Sequence, residues 1–445
     1  MRPPSTTARA PWVGLAVTVL VVALAFAVPP LLGWDVHART PPPDRSLPPL
    51  HGWWRPQAFG PGTVPAVVVA LLAVRFAVPL AQRLSWWALL ATSYVAGLVW
   101  LFSLALVDGT EGLSRALGNR FEYLPTARAV TDVGTMLSGF VDQIPYAHPE
   151  NWVIHVAGHP PGALLSFVWL DRLGLGGDLA AGVVVTCIAA TTAPAVLVTL
   201  RALDAEDAAR RVAPFLVLGP AAVFMAVSAD AMFAAVAAWG LAALALAATR
   251  LTPGQMVAWA VPAGLLLGWC VMLSYGLPLL GFLAIAVLLA ARSWWSLPIA
   301  AASAGGVVLG FAATGFVWWE AYPVLHERYW DGLAAARPAS YWMWANLAAL
   351  ALSAGPLLGA GLARLAVLRS RADREVLLLV TGAAAAVVLA DLSQMSKAEV
   401  ERIWLPFVPW LLLSTAVLPE RWHRWGLGLQ LATALLLQHL LYTSW

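Results

Sequence analysis

Residues 153–172 read VIHVAGHPPGALLSFVWLDR and place two histidines, two prolines and two glycines beside a short apolar run. The run, residues 161–170, ends at Asp171 and Arg172. It offers about 10 to 14 residues, or roughly 15–21 Å of helix, whereas a bilayer core of roughly 30 Å needs about 20 residues. We therefore expect this segment to enter a membrane only part-way, and this decides how the rest of the chain is threaded.

The composition indicates a polytopic membrane protein. Of the 445 residues, 61% are hydrophobic and only 11% are charged, so a soluble globule would leave large apolar surfaces in water. The net charge of +3 comes almost wholly from arginine, because Lys397 is the only lysine. No basic stripe supports nucleic-acid binding. Cys187 and Cys270 lie in separate apolar runs, which favours packing roles over a disulfide or a metal site.

We expect an all-α fold, a transmembrane helical bundle of about thirteen spans. No small-residue cleavage site follows the first apolar stretch, so it is interpreted as a retained helix. The predicted spans cover residues 12–33, 64–82, 85–107, 179–200, 210–227, 231–249, 255–273, 276–291, 296–318, 345–367, 375–392, 402–419 and 425–443.

Arginine predicts the orientation, because short cytoplasmic loops retain positive charge. With Arg2 and Arg9 inside, segments 34–62 and 108–155 lie outside. If 161–170 does not cross, the later arginines return to the cytoplasm. They are Arg201, Arg210, Arg211, Arg250, Arg292, Arg421, Arg424 and the RSRADR cluster at 369–374. We therefore expect a bacterial plasma-membrane protein with a cytoplasmic N-terminus.

Three parts of the chain are expected. Residues 1–84 form an accessory pair of spans around a proline-rich external loop, 85–419 form the core, and 420–445 form a C-terminal helix. Within the core, residues 108–155 mix polar and apolar positions and lack a 20-residue apolar run. Short helices lying along the outer interface are the predicted structure of this loop.

Asp108 directly follows the apolar stretch LVWLFSLALV, with Gly109 beside it and Glu111 three residues on. Carboxylates at the mouth of a span can accept a proton from a hydroxyl or hold a metal ion. Helix capping is the alternative, but a carboxylate at the C-terminal end of a helix opposes the helix dipole. We favour a functional role for Asp108.

His155 and His159 have the four-residue spacing of a helical metal site. Pro160 biases His159 away from helical angles, so a zinc site is disfavoured. Pro161 instead suits the start of a helix, and Gly162 lets a ligand or another backbone come close. The N-terminus of a helix that begins here favours anions such as phosphate. A structural turn and a ligand site are both compatible with the HPPG residues.

Further polar residues are predicted on the same outer side. Asp230 is an acid in an apolar region, which normally faces a cavity or a partner. Lys397 and Arg402 stand at the entrance of a late span, where cations neutralise phosphate. For the acids of this stretch, interfacial ion pairs are an equally natural interpretation. The possible cavity residues are His155, Asp230, Tyr275, Glu399 and Glu401.

In their order, these motifs resemble the membrane-embedded GT-C glycosyltransferases. The branch that contains protein O-mannosyltransferases and the lipid A aminoarabinose transferase is similar in an acidic pair after an early span, a Pro-Pro helix start, and two later spans. These later spans match PAAVFMAVSAD (220–230) and ERIWLPFVPWLLL (401–413) here. The resemblance covers roughly residues 85–419. This chain has Asp-Gly-Thr-Glu in place of Asp-Glu, and Trp404 in place of a tyrosine.

The resemblance implies transfer of a sugar from a polyprenyl-phosphate donor to a hydroxyl of a cell-envelope glycan, lipid or protein on the outer side, with inversion. It assigns Asp108, with Glu111 beside it, as the catalytic carboxylate. It implies that His159, Pro161, Gly162, Lys397 and Arg402 bind the donor and its phosphate. The departures leave open which carboxylate is the base and whether Asp108 holds a divalent cation, Mg²⁺ or Mn²⁺.

Two other functions compete with this interpretation. A proton-coupled secondary transporter would use thirteen spans and a few buried acids, but such proteins often show repeats and helices broken near the midplane. A non-catalytic lipid-binding protein would explain the aromatic interfaces. It would not explain why Asp108, Asp230, Lys397 and Arg402 are all expected on the outer side.

The orientation is tested by two single-cysteine variants, Arg371→Cys and Asp331→Cys, in a chain whose Cys187 and Cys270 are replaced by alanine. Because the arginine bias puts 371 inside and 331 outside, an impermeant thiol reagent applied to intact cells should label only the second. The opposite labelling pattern would overturn the predicted threading.

Overall fold

The structure, a computed structural model, describes residues 6–38, 46–250 and 252–443. Arg2, on which part of the predicted orientation rests, lies outside the described residues, as does the middle of the proline-rich loop, 39–45.

Up to residue 273, the described chain contains fourteen α-helices and one short strand. They are α1 (Thr6–Leu32), β1 (Gly52–Trp54), α2 (Thr63–Arg83), α3 (Trp86–Ala105), α4 (Glu111–Ser114), α5 (Tyr123–Ala129), α6 (Val133–Ser138), α7 (Ile154–Ala157), α8 (Pro161–Leu170), α9 (Asp178–Ala189), α10 (Thr192–Ala202), α11 (Glu206–Val217), α12 (Ala222–Met225), α13 (Ala229–Ala248) and α14 (Pro253–Leu273). The remainder contains α15 (Leu280–Ala291), α16 (Leu297–Ala313), α17 (Trp318–Asp331), α18 (Leu333–Ala336), α19 (Ala339–Ala354), α20 (Leu357–Leu368), α21 (Arg374–Leu392), α22 (Val400–Ile403), α23 (Val408–Leu412), α24 (Glu420–Leu440) and β2 (Leu441–Thr443).

Apolar helices of membrane-spanning length dominate the fold, as the sequence predicts. Seven segments of the described chain are long and apolar enough to cross a membrane, and two bent pairs raise the number to nine if each pair is one span. The seven are Ala8–Leu32, Thr63–Arg83, Trp86–Asp108, Asp178–Ala202, Ala229–Ala248, Pro253–Leu273 and Arg374–Leu392. The other four predicted spans correspond to shorter or more polar helices, and the number thirteen stays a prediction.

The apolar segment 161–170 forms one short helix, α8, as expected. α8 has ten residues, about 15 Å of helix, and Pro161 is its first residue. The preceding loop forms four short helices, α4 to α7, as the polar and apolar pattern predicts. A π-helical turn, Asp171–Leu175, ends the segment before α9 begins.

The predicted span 345–367 is broken in the structure, because α19 and α20 meet at an angle of 103°. Gly355 takes a positive φ of 89° at the break, and Pro356 follows it. Gln430 of α24 compensates for the lost helical hydrogen bonds: its Nε2 donates to Ala354 O at 2.8 Å, and its Oε1 accepts from Leu357 N at 3.3 Å. Such compensation is what permits broken helices in an apolar environment.

The predicted span 296–318 also bends. α16 ends at Ala313 and α17 continues at 74° after Gly315, whose φ is 102°. A Cβ on Gly315 would lie 2.8 Å from Ser138 Cα, so the turn lies directly against the loop between α3 and α8.

Small residues let several helices pack closely, which is typical of membrane bundles. α14 contacts α13 on one side and α16 on the other. A Cβ on Gly264 of α14 would lie 2.1 Å from Ala300 O of α16. α1 packs along α19 and α20, whereas α2 packs on α3, α11 and α24. The first two spans are thus each part of one bundle with the late helices.

Contacts along α2 and α3 define two ends of this bundle. At one end Arg210 Nη1 donates to Ala81 O and Leu84 O, and Arg201 lies 4.5 Å from the Trp86 ring. At the other end Gly62 N donates to Leu106 O at 2.8 Å. α2 has 21 residues, so these ends are separated by about 30 Å, close to the thickness of a bilayer core. We call the first the arginine end and the second the Asp108 end.

A two-stranded antiparallel sheet closes the Asp108 end. β1, from the proline-rich loop, pairs with β2, which follows α24, in the register Gly52 to Thr443. This sheet joins the beginning of the chain to its last helix.

A glycine substitution tests the packing of α1 on α20. In Gly14→Ala, the new Cβ would lie 2.0 Å from Gly359 O, and backbone cannot yield easily. We expect a loss of about 1–3 kcal/mol of stability, measured as a lower thermal unfolding midpoint in detergent. Gly306→Ala on α16 is the control, because no atom lies within 4 Å of its added Cβ. Equal midpoints for the two variants would contradict the packing.

Candidate functional site

Arg402 is the centre of a buried polar cluster. Its Nη1 lies 2.5 Å from Asp230 Oδ2, and its Nη2 lies 3.0 Å from Glu399 Oε2. The side chains of Arg402 and Asp230 are only 4% and 5% exposed. Asp230 is in the first turn of α13, where the helix dipole favours a negative charge. Of the two environments expected for this acid, a cavity or a partner, the structure shows a partner, Arg402.

A carboxylate and an imidazole form a second pair beside the arginine. Glu122, which immediately precedes α5, lies with its Oε1 2.6 Å from His155 Nδ1. Arg402 Nη2 lies 3.4 Å from His155 Nε2. A guanidinium only donates, so Nε2 accepts and the Nδ1–H group donates a hydrogen bond to Glu122. Burial opposes ionisation of Glu122, but the hydrogen bond from His155 and the charge of Arg402 outweigh it and lower its pKa.

Glu399 links this cluster to His51 and Arg337. Its Oε1 lies 3.3 Å from His51 Nδ1 and 3.9 Å from Arg337 Nη2. Burial opposes ionisation here too, yet His51, Arg402 and Arg337 hold the pKa of Glu399 well below its usual value. Ala398 and Glu399 both have positive φ, 71° and 65°. Strain of this kind is concentrated at functional sites.

Glu401 is fully buried and is held differently. Its Oε1 accepts a hydrogen bond from the backbone N–H of His51 at 2.7 Å. Its Oε2 has no hydrogen-bond partner among the described residues. Burial raises the pKa of Glu401 to about 7. A titratable group therefore lies next to the Arg402 cluster.

His159 lies in an aromatic environment at the start of α8. Its Nδ1 donates to His155 O at 2.9 Å, which leaves Nε2 as an acceptor in the neutral ring. The ring lies edge-on to Tyr123, 5.6 Å away, and 6.1 Å from Phe233. Burial lowers the pKa of His159, with Asp230 acting in the opposite direction. A neutral imidazole is favoured near pH 7.

The HPPG turn is built for close packing. Pro161 begins α8, and a Cβ on Gly162 would lie 2.6 Å from Met272 O of α14. The sequence left open whether a ligand or another backbone comes close to Gly162. In the structure the close neighbour is the backbone of Met272. His155 lies in α7 and His159 outside it, so the two rings do not share a helical face, as the sequence predicts.

Asp108 lies at the same end of the bundle but has other partners. Its Oδ2 lies 3.3 Å from Arg115 Nη2 and 3.4 Å from Gln438 Nε2. Arg115 also donates to Thr443 O, and Thr443 pairs with Gly52, the residue after His51. The sheet thus connects Asp108 to the Arg402 cluster without direct contact between their side chains.

The carboxylate of Asp108 does not fit a divalent cation. Arg115 and Gln438 both present N–H groups to it, and these repel a metal ion where a third oxygen ligand is needed. Glu111 is exposed at the start of α4 and supplies no such ligand. Among residues 6–38, 46–250 and 252–443, no group of three His, Cys, Asp or Glu side chains is arranged to hold a metal.

Two predicted residues lie apart from Arg402. Lys397 Nζ donates to Ala334 O and Arg337 O at 3.3 and 3.1 Å and lies 4.4 Å from the Trp330 ring. Its charge is thus directed to carbonyl groups and an aromatic face. Tyr275 packs between Trp318 and Tyr322.

Four residues in or beside the Arg402 cluster were not predicted from the sequence: His51, Glu122, Tyr123 and Arg337. Glu122 carried a weak signal, since it is an acid directly before an aromatic residue in the interfacial loop. His51 carried none, because it meets Glu401 across 350 residues of sequence.

Comparison of the chain with protein-family models, curated proteins and solved structures finds no match.

The raised pKa of Glu401 predicts a pH-dependent stability. The folded state binds a proton at Glu401 more tightly than the unfolded state, in which the pKa is near 4.5. The resulting stabilisation is complete below pH 4.5 and is lost as the pH rises through about 7. In detergent, the unfolding midpoint of the wild type should therefore fall relative to that of Glu401→Gln between about pH 5 and pH 8.

Glu399→Gln is the matched control for this experiment. Its carboxylate is ionised throughout that range, so its loss should lower the midpoint at every pH of the range. A wild-type midpoint that runs parallel to that of Glu401→Gln across the range would contradict the assignment.

Proposed function

We propose that the protein is a membrane glycosyltransferase of the GT-C type, with about thirteen spans and a cytoplasmic N-terminus in the bacterial plasma membrane. It transfers a sugar from a polyprenyl-phosphate donor to a hydroxyl of a cell-envelope acceptor on the outer side, with inversion. The observation that carries the proposal is the buried Arg402 cluster beside the HPPG turn, at the same end of the bundle as Asp108.

The proposed reaction is a single displacement. The acceptor oxygen forms a bond to the anomeric carbon, the bond from that carbon to the phosphate oxygen breaks, and the electron pair leaves on the phosphate. The acceptor proton passes to a carboxylate. The protein has to orient the acceptor, remove this proton and stabilise the departing charge.

Arg402 suits the role of phosphate ligand because its planar fork matches an anion with two oxygens. At present Asp230 and Glu399 occupy this fork. The side chain of Glu399 is 20% exposed, against 5% for Asp230. We infer that donor phosphate displaces Glu399, while Asp230 keeps the guanidinium in position.

Asp108 and His159 are the candidates for the group that takes the proton. The family resemblance favours Asp108, with Glu111 beside it, and a carboxylate paired with one arginine remains a competent acceptor. The neutral Nε2 of His159 is the alternative, because burial keeps this imidazole unprotonated and it lies at the HPPG turn.

Proton-coupled transport is the second candidate, and a specific observation favours it. Glu401 is a buried carboxyl with a pKa of about 7, adjacent to a network of carboxylates and histidines. Such groups carry protons in transporters. In that case the helix breaks at Gly355 and Gly315 would line the path.

The two candidates are separated by a transfer assay. Purified protein in liposomes is given labelled polyprenyl-phosphate sugars and cell-envelope glycan acceptors. Arg402→Lys keeps the charge but loses the fork, so transfer should fall roughly ten- to a hundred-fold. Asp108→Asn should abolish transfer if the carboxylate is the base, and retained activity would assign the proton transfer to His159.

Matched controls accompany both variants. Arg210→Lys alters a partly exposed ion pair with Glu206 at the arginine end, and Asp178→Asn alters an exposed pair with Arg128 near α5. Both should leave transfer within about two-fold, since surface pairs contribute little. Absence of transfer by the wild type, together with proton uptake that Glu401→Gln removes, would replace the transferase proposal with transport.

A further inference from the structure

A large cavity opens at the arginine end of the bundle, between α2, α11, α20 and α24. Its volume is about 1330 Å³. Five arginines line it, against one carboxylate, Glu420. The arginines are Arg83, Arg211, Arg364, Arg421 and Arg424. No part of the predicted transferase chemistry uses these residues.

Among the described residues, no carboxylate neutralises the charge of four of these arginines. Within the described parts of the chain, Arg83, Arg211, Arg421 and Arg424 form no salt bridge with a carboxylate. Arg364 Nε donates to Val417 O at 2.5 Å, which holds its guanidinium at the cavity wall. Arg421 is a like-charge neighbour of Arg364. A cavity of this kind favours an anion with several oxygen atoms.

His423 adds a second polar observation at the same place. It lines the cavity, is only 7% exposed and packs edge-on against Phe215 at 5.9 Å. Its Nε2 is buried without a hydrogen-bond partner in residues 46–250 and 252–443. A buried polar atom without a partner is costly unless a ligand or water satisfies it.

Apolar residues of the cavity wall extend away from the arginines. Val74 and Val78 line it on α2, and Trp425 and Gly428 line it on α24. Val74 precedes Arg83 by nine residues, about 14 Å along the helix. The wall therefore matches a molecule with a phosphate at one end and a hydrocarbon chain at the other.

We propose that this cavity binds an anionic phospholipid, with its phosphate against the arginines and an acyl chain along Val74 and Val78. Basic pockets between membrane helices bind such headgroups on the cytoplasmic side, which is where the arginine bias puts this end. The cavity lies at the opposite end of α2 from Asp108. The proposal does not depend on the transferase activity.

The full-length protein is tested in neutral phosphatidylcholine micelles, with and without added phosphatidylglycerol, and with pyrophosphate as a soluble phosphate. Phosphatidylglycerol should raise the unfolding midpoint of the wild type by about 3 °C, since a ligand that binds only the folded state stabilises it. Native mass spectrometry should show one retained phosphatidylglycerol. The variant Arg211→Gln/Arg421→Gln/Arg424→Gln should lose both the shift and the bound lipid.

The control variant is Arg250→Gln/Arg369→Gln/Arg371→Gln, which removes the same charge from exposed positions outside the cavity. It should keep the shift and the bound lipid. The proposal is overturned by no shift in the wild type, by equal loss in both triple variants, or by an unchanged bound lipid in the cavity variant. An equal shift with pyrophosphate would identify a free phosphate ligand and exclude the lipid.

Discussion

The ion pair of Arg402 and Asp230 is the constraint on which the rest of the site depends. Both side chains are almost completely buried, so neither can exchange its partner for water. Removing two charges from water is costly and is repaid only by good geometry and further hydrogen bonds. His155 and Glu399 supply those contacts, and Glu122 and His51 in turn hold them. Segments from four distant parts of the chain are therefore fixed relative to one another.

This cluster contains more carboxylates than a stable ion pair requires. Asp230, Glu399 and Glu122 act on Arg402, while His51 and Arg337 partly balance Glu399. A protein selected only for stability would do as well with an apolar cluster of the same volume. An exchangeable and partly exposed partner such as Glu399 is instead what a site for an incoming anion requires. The same surplus of acids is compatible with proton movement, which is why transport remains the second candidate.

Local features of the fold follow from the sequence, and features that depend on distant partners do not. The short α8 follows from its apolar length and from Pro161, and the four short helices before it follow from the mixed pattern of residues 108–155. The break at Gly355 does not, because a Gly-Pro pair in an apolar run is compatible with a continuous span. Only Gln430 of a later helix makes the break stable. The sequence likewise indicated that Asp230 and Arg402 belong to the site, because each is unusual where it stands. It also grouped Asp108 and Lys397 with them, whereas in the structure these two residues have other partners.

The sequence separations within the site bear on how the protein is made. Asp230 precedes Arg402 by 172 residues, so during synthesis it enters the bilayer region long before its counter-ion exists. A buried acid without its counter-ion is costly in an apolar medium, so α13 is not in its final environment until α22 arrives. The early helices are therefore inserted before the centre of the site is complete. The last step of assembly is electrostatic: one late guanidinium supplies the counter-charge for an acid that was inserted much earlier.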